Sequence, residues 1–514
     1  MDPAPIVPTS SAADMVRQAF DKILEMFYQG EWSQAKELCQ KMLQQVQWDP
    51  AGFPDKAVLL ARRGNHEKAL FLCKWLVLLH KFKEARACLE RFPPEARDDE
   101  FCLYYGLALF QERQFKEARP LLARAAQSFP DRFPALYYYG RNCMQLFDVT
   151  EAQSALLRTC ERFPTRPDPC LQLTYTCFIT NDVAGAETWV RKLMTWNSND
   201  TNAYVGMLWI CCSRGDLAGA WENYDLRRSR VLAINILPVA KEFLRDLTGK
   251  HVFLIREQGL GDQLFFLRFA PILKSRGAQL SMCPEAKLRN IIGGLACMDR
   301  FYPEQTPPRN YDAAIPIGDL PRLLEITQPE LIPPPLALKV VEDWRRDILS
   351  RTQDHRGRRL VGVTWEAGIA DMNALHKVVP PLLLGQALRG IEAEVYCLQR
   401  NPRPEDMRDF ATGLGRPCHN FSDLHDDLDH MLALLDMLDE YIAVSNTCTH
   451  MRAGLGKVCR VLIPAPAEWR WVGPWERSPW FPDFPLYRQQ SNGDWGAALG
   501  TLRDDLKTAG WMKA

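Results

Sequence analysis

Residues 115–130, FKEARPLLARAAQSFP, contain the pattern that decides the fold of the first half of the chain. The stretch VTEAQSALLRTCERFP, at residues 149–164, repeats the order of alanine, leucine, phenylalanine and proline. Two short helices of this composition cannot bury their apolar faces alone, so a period of about 34 residues indicates helix pairs that stack on one another. The alanines that mark the repeat are Ala35, Ala69, Ala118, Ala152, Ala186 and Ala220, with Ala85 in an extra unit, KFKEARACL.

The repeat resembles the tetratricopeptide family in its spacing and in its placement of small residues and prolines. Around Ala118, for example, Gly106 precedes the alanine and Pro130 follows it at the same sequence separation. The resemblance implies a superhelix whose concave groove binds peptides or proteins. We therefore predict an α-solenoid over residues 14–230, preceded by a flexible tail at residues 1–13.

Composition excludes several classes of protein. The 514 residues contain 63 Lys and Arg and 63 Asp and Glu, so no net charge attracts nucleic acid or an anionic membrane. No segment approaches the roughly 18 apolar residues that a membrane-spanning helix needs. The 16 cysteines show no Cys-x-x-Cys spacing, which argues against a zinc site or a redox motif. We expect a cytoplasmic protein with reduced cysteines.

From about residue 250 the pattern changes to short β-branched segments that alternate with helical ones. This alternation indicates parallel sheets with crossover helices. A Pro-rich, polar stretch near residues 332–359 separates the segments into two groups. We predict two α/β halves that face each other across a cleft, at residues 250–355 and 356–514. The predicted strands are HVFLI (251–255), AQLSMC (278–283), AAIPI (313–317), LVGVTW (360–365), AEVYCLQ (393–399), YIAVS (441–445) and CRVLIP (459–464).

The first candidate site is the loop REQGLGDQ, which follows the strand at residues 251–255. Ligands of open α/β sheets bind at the carboxyl ends of strands. Gly259 and Gly261 allow a tight turn and a close approach of the backbone to a ligand, and a helix should begin near Asp262. The spacing differs from the dinucleotide fingerprint because Leu264 occupies the third glycine position. Two interpretations stay open: a ligand-binding loop, or an ordinary turn with Asp262 as the helix N-cap.

The second candidate site is VSNTCTHMRAGLG, residues 444–456, which also follows a predicted strand. Its hydroxyl and amide side chains, Ser445, Asn446 and Thr447, lie at the first turn of a helix. The unpaired N–H groups and the positive dipole end of such a turn attract phosphate. A helix cap formed by Ser445 or Thr447 would account for one of these residues but not for the cluster.

Two further segments allow a site but favour a simpler interpretation. The loop TWEAGIADMNALHK ends at Lys377, which by itself is typical of a solvated surface lysine. The segment HDDLDH carries Asp427 and Asp429 at the start of an amphipathic helix. Residues two apart point to different faces of a helix, so a capped helix start is favoured over a metal site.

The three loops together resemble the glycosyltransferases of the two-Rossmann (GT-B) type, in particular the heptosyltransferase-like group. The likeness is greatest to bacterial proteins that join tetratricopeptide repeats to that domain, some of which glycosylate flagellin. It covers almost the whole chain. The segments that carry it are EQGLGDQLFFLRF (257–269), SNTCTHMRAGLGK (445–457) and PAEWRWVGPWERSPWFPDFPLYRQ (466–489), followed by GDW.

The resemblance implies a role for individual residues. It implies that Asp262 is the catalytic base, and that no metal or cofactor is needed beyond the nucleotide-sugar substrate. Two positions depart from the family: Ser445 stands where many members have aspartate, and Glu366 where many have a basic or neutral residue. A carboxylate at position 366 is unfavourable beside a diphosphate. The predicted donor-phosphate ligands are Ser445, Asn446, Thr447, His450 and Lys377, with Gly259, Gly261 and Gly454 as loop glycines.

We therefore predict a glycosyltransferase that moves a sugar from a nucleotide-activated donor to a protein recruited by the repeat groove, with flagellin among the acceptors implied. Two alternatives stay open. The departures at Glu366 and Ser445 favour a scaffold that keeps the fold without the chemistry. Transfer to a saccharide or a lipid keeps the fold but leaves the repeats unexplained. Self-association through the repeats also stays open.

Overall fold

The chain forms a run of paired helices followed by two parallel sheets with helices between their strands, which confirms the predicted fold class. Contacts divide it into two compact units, Met1–Cys177 and Phe178–Ala514. None of the described helices is long and apolar enough to cross a membrane. The structure, a computed structural model, describes residues 10–45, 49–197, 200–227, 241–257, 259–303, 308–367, 377–473 and 477–513.

The first unit consists of antiparallel helix pairs. A Cβ on Gly106 would lie 2.9 Å from Leu122, and one on Gly140 would lie 2.8 Å from Leu156, so the repeat glycines allow paired helices to approach closely. The first helix begins at Ser10, so residues 10–13 of the predicted tail are helical. The helices are α1 (Ser10–Tyr28), α2 (Trp32–Gln45), α3 (Phe53–Arg62), α4 (His66–Leu78), α5 (Phe82–Leu89), α6 (Asp99–Gln111), α7 (Phe115–Ser128), α8 (Phe133–Gln145), α9 (Val149–Arg162) and α10 (Asp168–Thr180), within which the division falls.

The second unit begins with the last repeat helices, α11 (Val183–Trp196), α12 (Thr201–Arg214) and α13 (Leu217–Tyr224). Helices α12 and α13 share a hydrophobic core with the sheets. The indole of Trp209 donates to the Ala467 carbonyl at 2.9 Å, and that of Trp221 donates to the Ile326 carbonyl at 2.8 Å. The boundary between compact units therefore lies inside the solenoid predicted at residues 14–230.

The first sheet has four parallel strands in the order β3-β2-β1-β4. Val252 of the central strand pairs with Leu280 on one side and Ala313 on the other. Its strands are β1 (His251–Ile255), β2 (Gln279–Met282), β3 (Arg300–Phe301) and β4 (Ala313–Pro316). Its helices are α14 (Leu260–Leu267), α15 (Ala270–Ser275), α16 (Arg289–Gly293), α17 (Leu320–Leu323) and α18 (Glu342–Arg351).

The second sheet has six parallel strands in the order β12-β11-β10-β5-β8-β9, and a short antiparallel hairpin, β6-β7, stands apart from it. Its order reverses between β5 and β10, as in doubly wound Rossmann-like folds. The strands are β5 (Leu360–Thr364), β6 (Glu366–Ala367), β7 (Lys377–Val378), β8 (Glu394–Cys397), β9 (His419–Asn420), β10 (Glu440–Val444), β11 (Arg460–Ile463) and β12 (Leu486–Arg488). The helices are α19 (Pro381–Ala387), α20 (Pro404–Leu414), α21 (Leu428–Met437), α22 (Thr447–Gly454) and α23 (Gly496–Thr508).

All the strands predicted from β-branched segments are confirmed. The strands that the sequence did not predict are β3, β6, β7, β9 and β12, which are only two or three residues long. Segments this short show no periodicity. They add edges and a hairpin to the sheets but leave the central strands unchanged.

Candidate functional site

The strand order selects one edge of each sheet as the place for a ligand. In open parallel sheets, ligands bind at the carboxyl ends of strands where the order reverses. That point lies between β1 and β4 in the first sheet and between β5 and β10 in the second. The loops predicted as sites follow β1, β5 and β10, so all of them lie at these two reversal points.

The loop after β1 leads into α14, which begins at Leu260. Gly259 is the N-cap, and the Asp262 carboxylate reaches back so that its Oδ2 accepts the Gly259 N–H at 3.3 Å. The alternative of Asp262 as N-cap is therefore wrong, and the helix begins two positions before the residue near which its start was expected. The carboxylate lies in the first turn of the helix and still satisfies the cap.

The other oxygen of Asp262 binds a residue that the sequence analysis missed. Its Oδ1 accepts a hydrogen bond from Nη2 of Arg470, which is only 6% exposed. The guanidinium lies 4.6 Å from the ring centroid of Phe265 and 4.3 Å from that of Trp469. Burial alone would lower the pKa of Arg470, but the carboxylates of Asp262 and Glu468 raise it above its ordinary value.

The loop after β10 is capped by Asn446. Its Oδ1 accepts the Thr449 N–H at 3.2 Å, and Thr449 Oγ1 accepts the Asn446 N–H at 3.3 Å, which is a reciprocal capping box. Its Nδ2 donates to the Val444 carbonyl at 2.9 Å and to the Tyr441 hydroxyl at 3.2 Å. A cap by Ser445 or Thr447 is therefore wrong, and both ends of the Asn446 amide are engaged within the protein.

Ser445 leads to a second carboxylate that the sequence analysis missed. Its hydroxyl donates to Glu468 Oε1 at 2.8 Å, as does the Trp471 indole at 2.9 Å, while Lys377 pairs with Oε2. The simpler interpretation of Lys377 as a solvated surface lysine is wrong. Burial would raise the pKa of Glu468, but the charges of Lys377 and Arg470, with the hydrogen bonds from Lys377 and Ser445, lower it to about 2.

His450 brings the first loop and α22 together. A Cβ on Gly261 would lie 3.0 Å from His450 Cδ2, so glycine allows the two helix starts to approach this closely. The imidazole is 8% exposed, and its centroid lies 6.0 Å from that of Phe265 and 5.5 Å from that of Phe481. Burial, followed by the charge of Arg470, lowers the pKa of His450 well below its ordinary value, so the ring is neutral at neutral pH.

A second buried cation, Arg268, follows α14. It is 2% exposed and lies between the rings of Phe265 and Phe481, with centroid distances of 4.5 and 4.9 Å. Its Nη1 donates to the Trp480 carbonyl at 3.0 Å. Burial, followed by the charge of Arg470, lowers the pKa of Arg268 to about 9. No carboxylate pairs with it among the residues that the structure describes.

Three buried nitrogens around Phe265 have no hydrogen-bond partner within the described part of the chain: Nε of Arg268, Nε of Arg470 and Nδ1 of His450. Buried polar atoms of native proteins are almost always satisfied, so such a group calls for an explanation. Because His450 is neutral, the cations of this cluster are Arg268, Arg470 and Lys377, against the two carboxylates of Asp262 and Glu468. The neighbouring carboxylates of Glu257 and Asp319 are paired with Arg227. This excess of positive charge favours an anionic ligand.

Gly454 and Glu366, which the sequence analysis singled out, have contacts outside the cluster around Phe265. Gly454 is the last residue of α22 and not a loop glycine: a Cβ there would lie 2.6 Å from Leu338, whose N–H donates to the Gly454 carbonyl at 2.8 Å. Glu366 is half-buried and begins the hairpin that carries Lys377; its N–H donates to Gln399 Oε1 at 2.8 Å. The loop between them, residues 368–376, lies outside the described residues.

The predicted capped helix start at HDDLDH is confirmed. Asp427 is the N-cap of α21 and accepts the His430 N–H at 3.3 Å, while Asp429 accepts from Asn290 at 2.6 Å. Both carboxylates therefore have structural partners.

A different group in the described chain, His355, Glu394 and His419, has potential metal-ligand atoms within 4.8 Å of one another. Glu394 is paired with Arg358, and Arg416 lies 3.8 Å from its other oxygen. These positive charges oppose a bound cation.

The chain is similar to several known proteins. No family model matches the sequence. Protein FlbA of Caulobacter vibrioides is 24% identical over 334 residues, which cover 58% of this chain and 54% of FlbA. The chain thus spans about half the length of the curated relative that it matches.

Three solved structures are similar to parts of this chain. The glycosyl transferase family 9 protein from Veillonella parvula DSM 2008 has a TM-score of 0.37 and 11% identity, covering 52% of this chain and 91% of that one. MamA MSR-1 C2 has a TM-score of 0.27 and 17% identity, covering 34% and 95%. YrrB, a TPR protein with an unusual peptide-binding site, has a TM-score of 0.25 and 18% identity, covering 36% and 88%. The fold assignment rests on the repeat geometry and strand order of the chain itself.

Proposed function

We propose that this protein transfers a sugar from a nucleotide-activated donor to a protein acceptor recruited by its repeats. The observation that supports this most is the set of unpartnered nitrogens on Arg268, Arg470 and His450, whose side chains surround Phe265 of α14. The leaving group of such a transfer is a nucleotide diphosphate, which gains negative charge as the sugar departs. Fixed positive groups in a buried site stabilise that charge.

The diphosphate would lie between this cluster and the start of α22. The first N–H groups of a helix have no partners within the helix, and its dipole favours an anion. The first turn of α22 contains no acidic residue. Ser445, which replaces the family's aspartate, donates to Glu468 and adds no negative charge beside the phosphates. In this proposal the chain itself supplies the positive charge, so no metal ion is invoked.

Asp262 would be the general base. It takes the proton of the acceptor hydroxyl as the acceptor oxygen bonds to the sugar carbon and the bond from that carbon to the diphosphate breaks. In the structure its Oδ1 is held by Arg470. A diphosphate that attracts Arg470 would weaken this pair and leave the carboxylate free to accept a proton. Donor binding would thereby prepare the base.

The acceptor class follows from the repeats. Stacked repeats of this kind form extended surfaces that bind peptides and proteins. Their attachment to a sugar-transfer fold favours a protein acceptor over a lipid or a saccharide. Flagellin, implied by the family resemblance, is the first protein to test.

A non-catalytic scaffold is the second candidate function. It is favoured by Asp262, because both of its oxygens have partners in the structure, and by Glu366, a carboxylate where many members of the family have a basic or neutral residue. Binding of a nucleotide sugar without sugar transfer would favour the scaffold, whereas binding followed by transfer would favour the enzyme.

The test is a thermal-shift screen against UDP-, GDP- and ADP-sugars, each of which carries a diphosphate, with Arg268→Met as the diagnostic variant. A ligand at about 100 times its Kd stabilises the folded state by about 2.7 kcal/mol. Arg268→Met removes a buried charge without a carboxylate partner and keeps an apolar side chain of similar shape. We therefore expect a melting temperature equal to or above that of the wild type, but no donor shift.

The matched control is Arg452→Met. Arg452 is also 2% exposed, but its guanidinium donates to the carbonyls of Leu435, Leu438, Asp439 and Val458. This variant should lose stability and keep the donor shift. If no nucleotide sugar shifts the wild type, or if Arg268→Met keeps the shift, the proposed donor site is wrong.

A further inference from the structure

The hairpin of α1 and α2 lies across one face of the repeats that follow it. Phe20 stacks on Trp75 of α4 with ring centroids 4.7 Å apart, and Phe27 stacks on Tyr104 of α6 at 6.0 Å. Trp32, the first residue of α2, makes an edge contact with Tyr138 of α8 at 5.2 Å. The hairpin therefore reaches three successive repeats.

This arrangement differs from ordinary stacking of repeats, in which each unit contacts only its neighbours. Helix α1 contacts α8, which lies several repeats further along the chain. Helices α4 and α6, and α6 and α8, contact one another directly and so line a common face, which we call the inner groove. The hairpin occupies this groove, the surface that the repeat pattern predicts to bind peptides or proteins.

The hairpin binds the inner groove through one stripe of a helix. Phe20, Ile23 and Phe27 are 2%, 0% and 1% exposed and lie at positions i, i+3 and i+7. Such spacing places three side chains on one face of an amphipathic helix, the pattern by which helices bind apolar grooves. The occupant thus shows which ligand chemistry the groove accepts.

Polar contacts fix the register of the hairpin. The hydroxyls of Tyr28 and Tyr104 lie 2.9 Å apart, and the Arg132 guanidinium lies 4.2 Å from the centroid of the Tyr28 ring. Between α1 and α2, Gly30 has φ +85°, and a Cβ there would lie 2.7 Å from the Phe133 ring. Only glycine allows the turn to lie against α8 in this conformation.

The hairpin does not fill the groove. A cavity of about 500 Å³ remains beside α1. Both charge types line it, with Lys74 and Arg132 paired to Glu100 at 2.5 and 3.1 Å. Its charged lining residues are Asp21, Glu25, Lys74, Glu100, Asp131 and Arg132. Space for polar side chains of a further ligand lies next to the apolar stripe.

We propose that the inner groove binds an amphipathic helix of the acceptor protein, with aromatic or aliphatic residues at i, i+3 and i+7, and that the α1–α2 hairpin competes with it. The proposal rests on the proposed function, since it names the surface by which a protein acceptor is recruited. Acceptor binding then requires the hairpin to leave, and the apparent affinity of the groove is reduced because only the fraction of molecules with an open groove can bind.

The test measures binding of a fluorescent peptide of residues 10–45, which spans both helices of the hairpin and includes Trp32, to the full-length chain by anisotropy. In Phe27→Glu, a charge opposes the stack on Tyr104 and should open the groove, so the peptide should bind at least about ten times more tightly than to the wild type. Lys22→Glu, at an exposed position of the same helix, is the matched control and should bind like the wild type. Adding Trp75→Ala and Tyr138→Ala to Phe27→Glu should abolish binding.

Gly30→Ala provides a second way to open the groove, since its side chain would clash with Phe133 and leave the α4 and α6 surface unchanged. If circular dichroism shows that Phe27→Glu is unfolded, Gly30→Ala takes its place in the binding measurement. The proposal is overturned if neither opened variant binds the peptide more tightly than the wild type, or if the Trp75 and Tyr138 substitutions leave binding intact. A donor-induced thermal shift in the same variants would show that the proposed function stands even where the groove proposal fails.

Discussion

Two strand-to-helix turns of the α/β region have nearly the same construction. One joins β1 to α14 and the other joins β10 to α22, and each opens a helix of eight residues. In both, the third helical residue reaches back to the N–H of the cap: Asp262 to Gly259, and Thr449 to Asn446. Both turns lie where the strand order of their sheet reverses.

The turns differ in charge. Thr449 and Asn446 satisfy each other without charge, so the start of α22 stays a neutral turn with a positive dipole end. Asp262 satisfies the same backbone position with a carboxylate, whose second oxygen binds Arg470. In the proposed function, one capping geometry would serve two purposes: it would hold a proton acceptor at the first turn and leave a place for an anion at the second.

The largest effect is expected for Asp262→Asn. An amide can still accept the Gly259 N–H, so the cap persists while the proposed base is lost. Loss of a general base lowers turnover by roughly 100- to 10,000-fold. Sugar transfer to the acceptor, followed by mass spectrometry, measures this loss, and the donor-induced thermal shift should persist.

Asp262→Ala separates the two roles of this residue. It removes the base and also the cap, so it should lose as much turnover as Asp262→Asn and additional stability. Equal activity of the wild type and Asp262→Asn would show that Asp262 is not the general base, and that its charge does not give the first turn a catalytic role.

The contact between the turns gives the next largest effect. In Gly261→Ala the new Cβ would lie 3.0 Å from the buried ring of His450, and overpacking of this kind costs about 1–3 kcal/mol. Gly259→Ala is the matched control, because its Cβ would meet only Asp262 Oδ2, at an ordinary 3.5 Å. Urea denaturation should show a clear loss of stability for the first variant and a small change for the second. The reverse order would mean that the turns do not touch as described.

The sequence predicted the parts of this region that carry a local pattern. Hydrophobic runs identified the central strands, and the rule that ligands bind beyond strand ends identified the loops of Asp262 and Ser445. Periodicity cannot choose among adjacent polar residues, so the alternative of a helix cap named Ser445 or Thr447, whereas Asn446 forms the cap. The choice depends on backbone geometry at a single residue.

The rest of the site could not be predicted because it is assembled from distant segments. Arg470 lies 208 residues after its partner Asp262, in a three-residue 3₁₀ helix, Trp469–Trp471, whose N-cap is Glu468. Arg268 lies within residues 257–269, which carry the family resemblance, but at a position to which the resemblance assigns no role. A helix of three residues shows no periodicity, so its arginine resembles any surface arginine until tertiary contacts bury it. Occupation of the inner groove could not be predicted for the same reason. Repeat spacing predicts contacts between neighbouring repeats, but not a hairpin that folds back onto α8.

His450, at the contact between the turns, should make stability depend on pH. Its pKa in the folded state lies well below the ordinary 6.5. Below about pH 6.5 the unfolded chain therefore binds a proton that the folded chain does not, so this contribution to stability is complete above that pH and falls as the pH is lowered. The slope is at most about 1.4 kcal/mol per pH unit.

Urea denaturation between pH values above and below 6.5 measures this slope, with His450→Gln as the comparison. The variant should show a flatter dependence than the wild type. Glu468 does not confuse the result, because its stabilising effect is lost only as the pH falls from its ordinary value of 4.5 towards 2. If the free energy of unfolding depends on pH equally in the wild type and in His450→Gln, then His450 is protonated in the folded state. It is then not a neutral neighbour of Arg470.

The smallest effect is expected for Asn446→Ala at the start of α22. Compared with Thr447→Ala, it separates the residue that caps the helix from a residue proposed to bind the donor. Asn446→Ala removes the capping side chain of α22 and should cost about 1 kcal/mol of stability. Because the Asn446 amide is engaged within the protein, the donor affinity of this variant should change little once its lower stability is allowed for. Thr447→Ala should show the opposite result, with stability preserved and donor affinity reduced, since Thr447 opens the helix and its side chain does not form the cap. If Asn446→Ala loses the donor shift while Thr447→Ala keeps it, the amide turns outward to the phosphates on binding, and the two turns then differ in mobility as well as in charge.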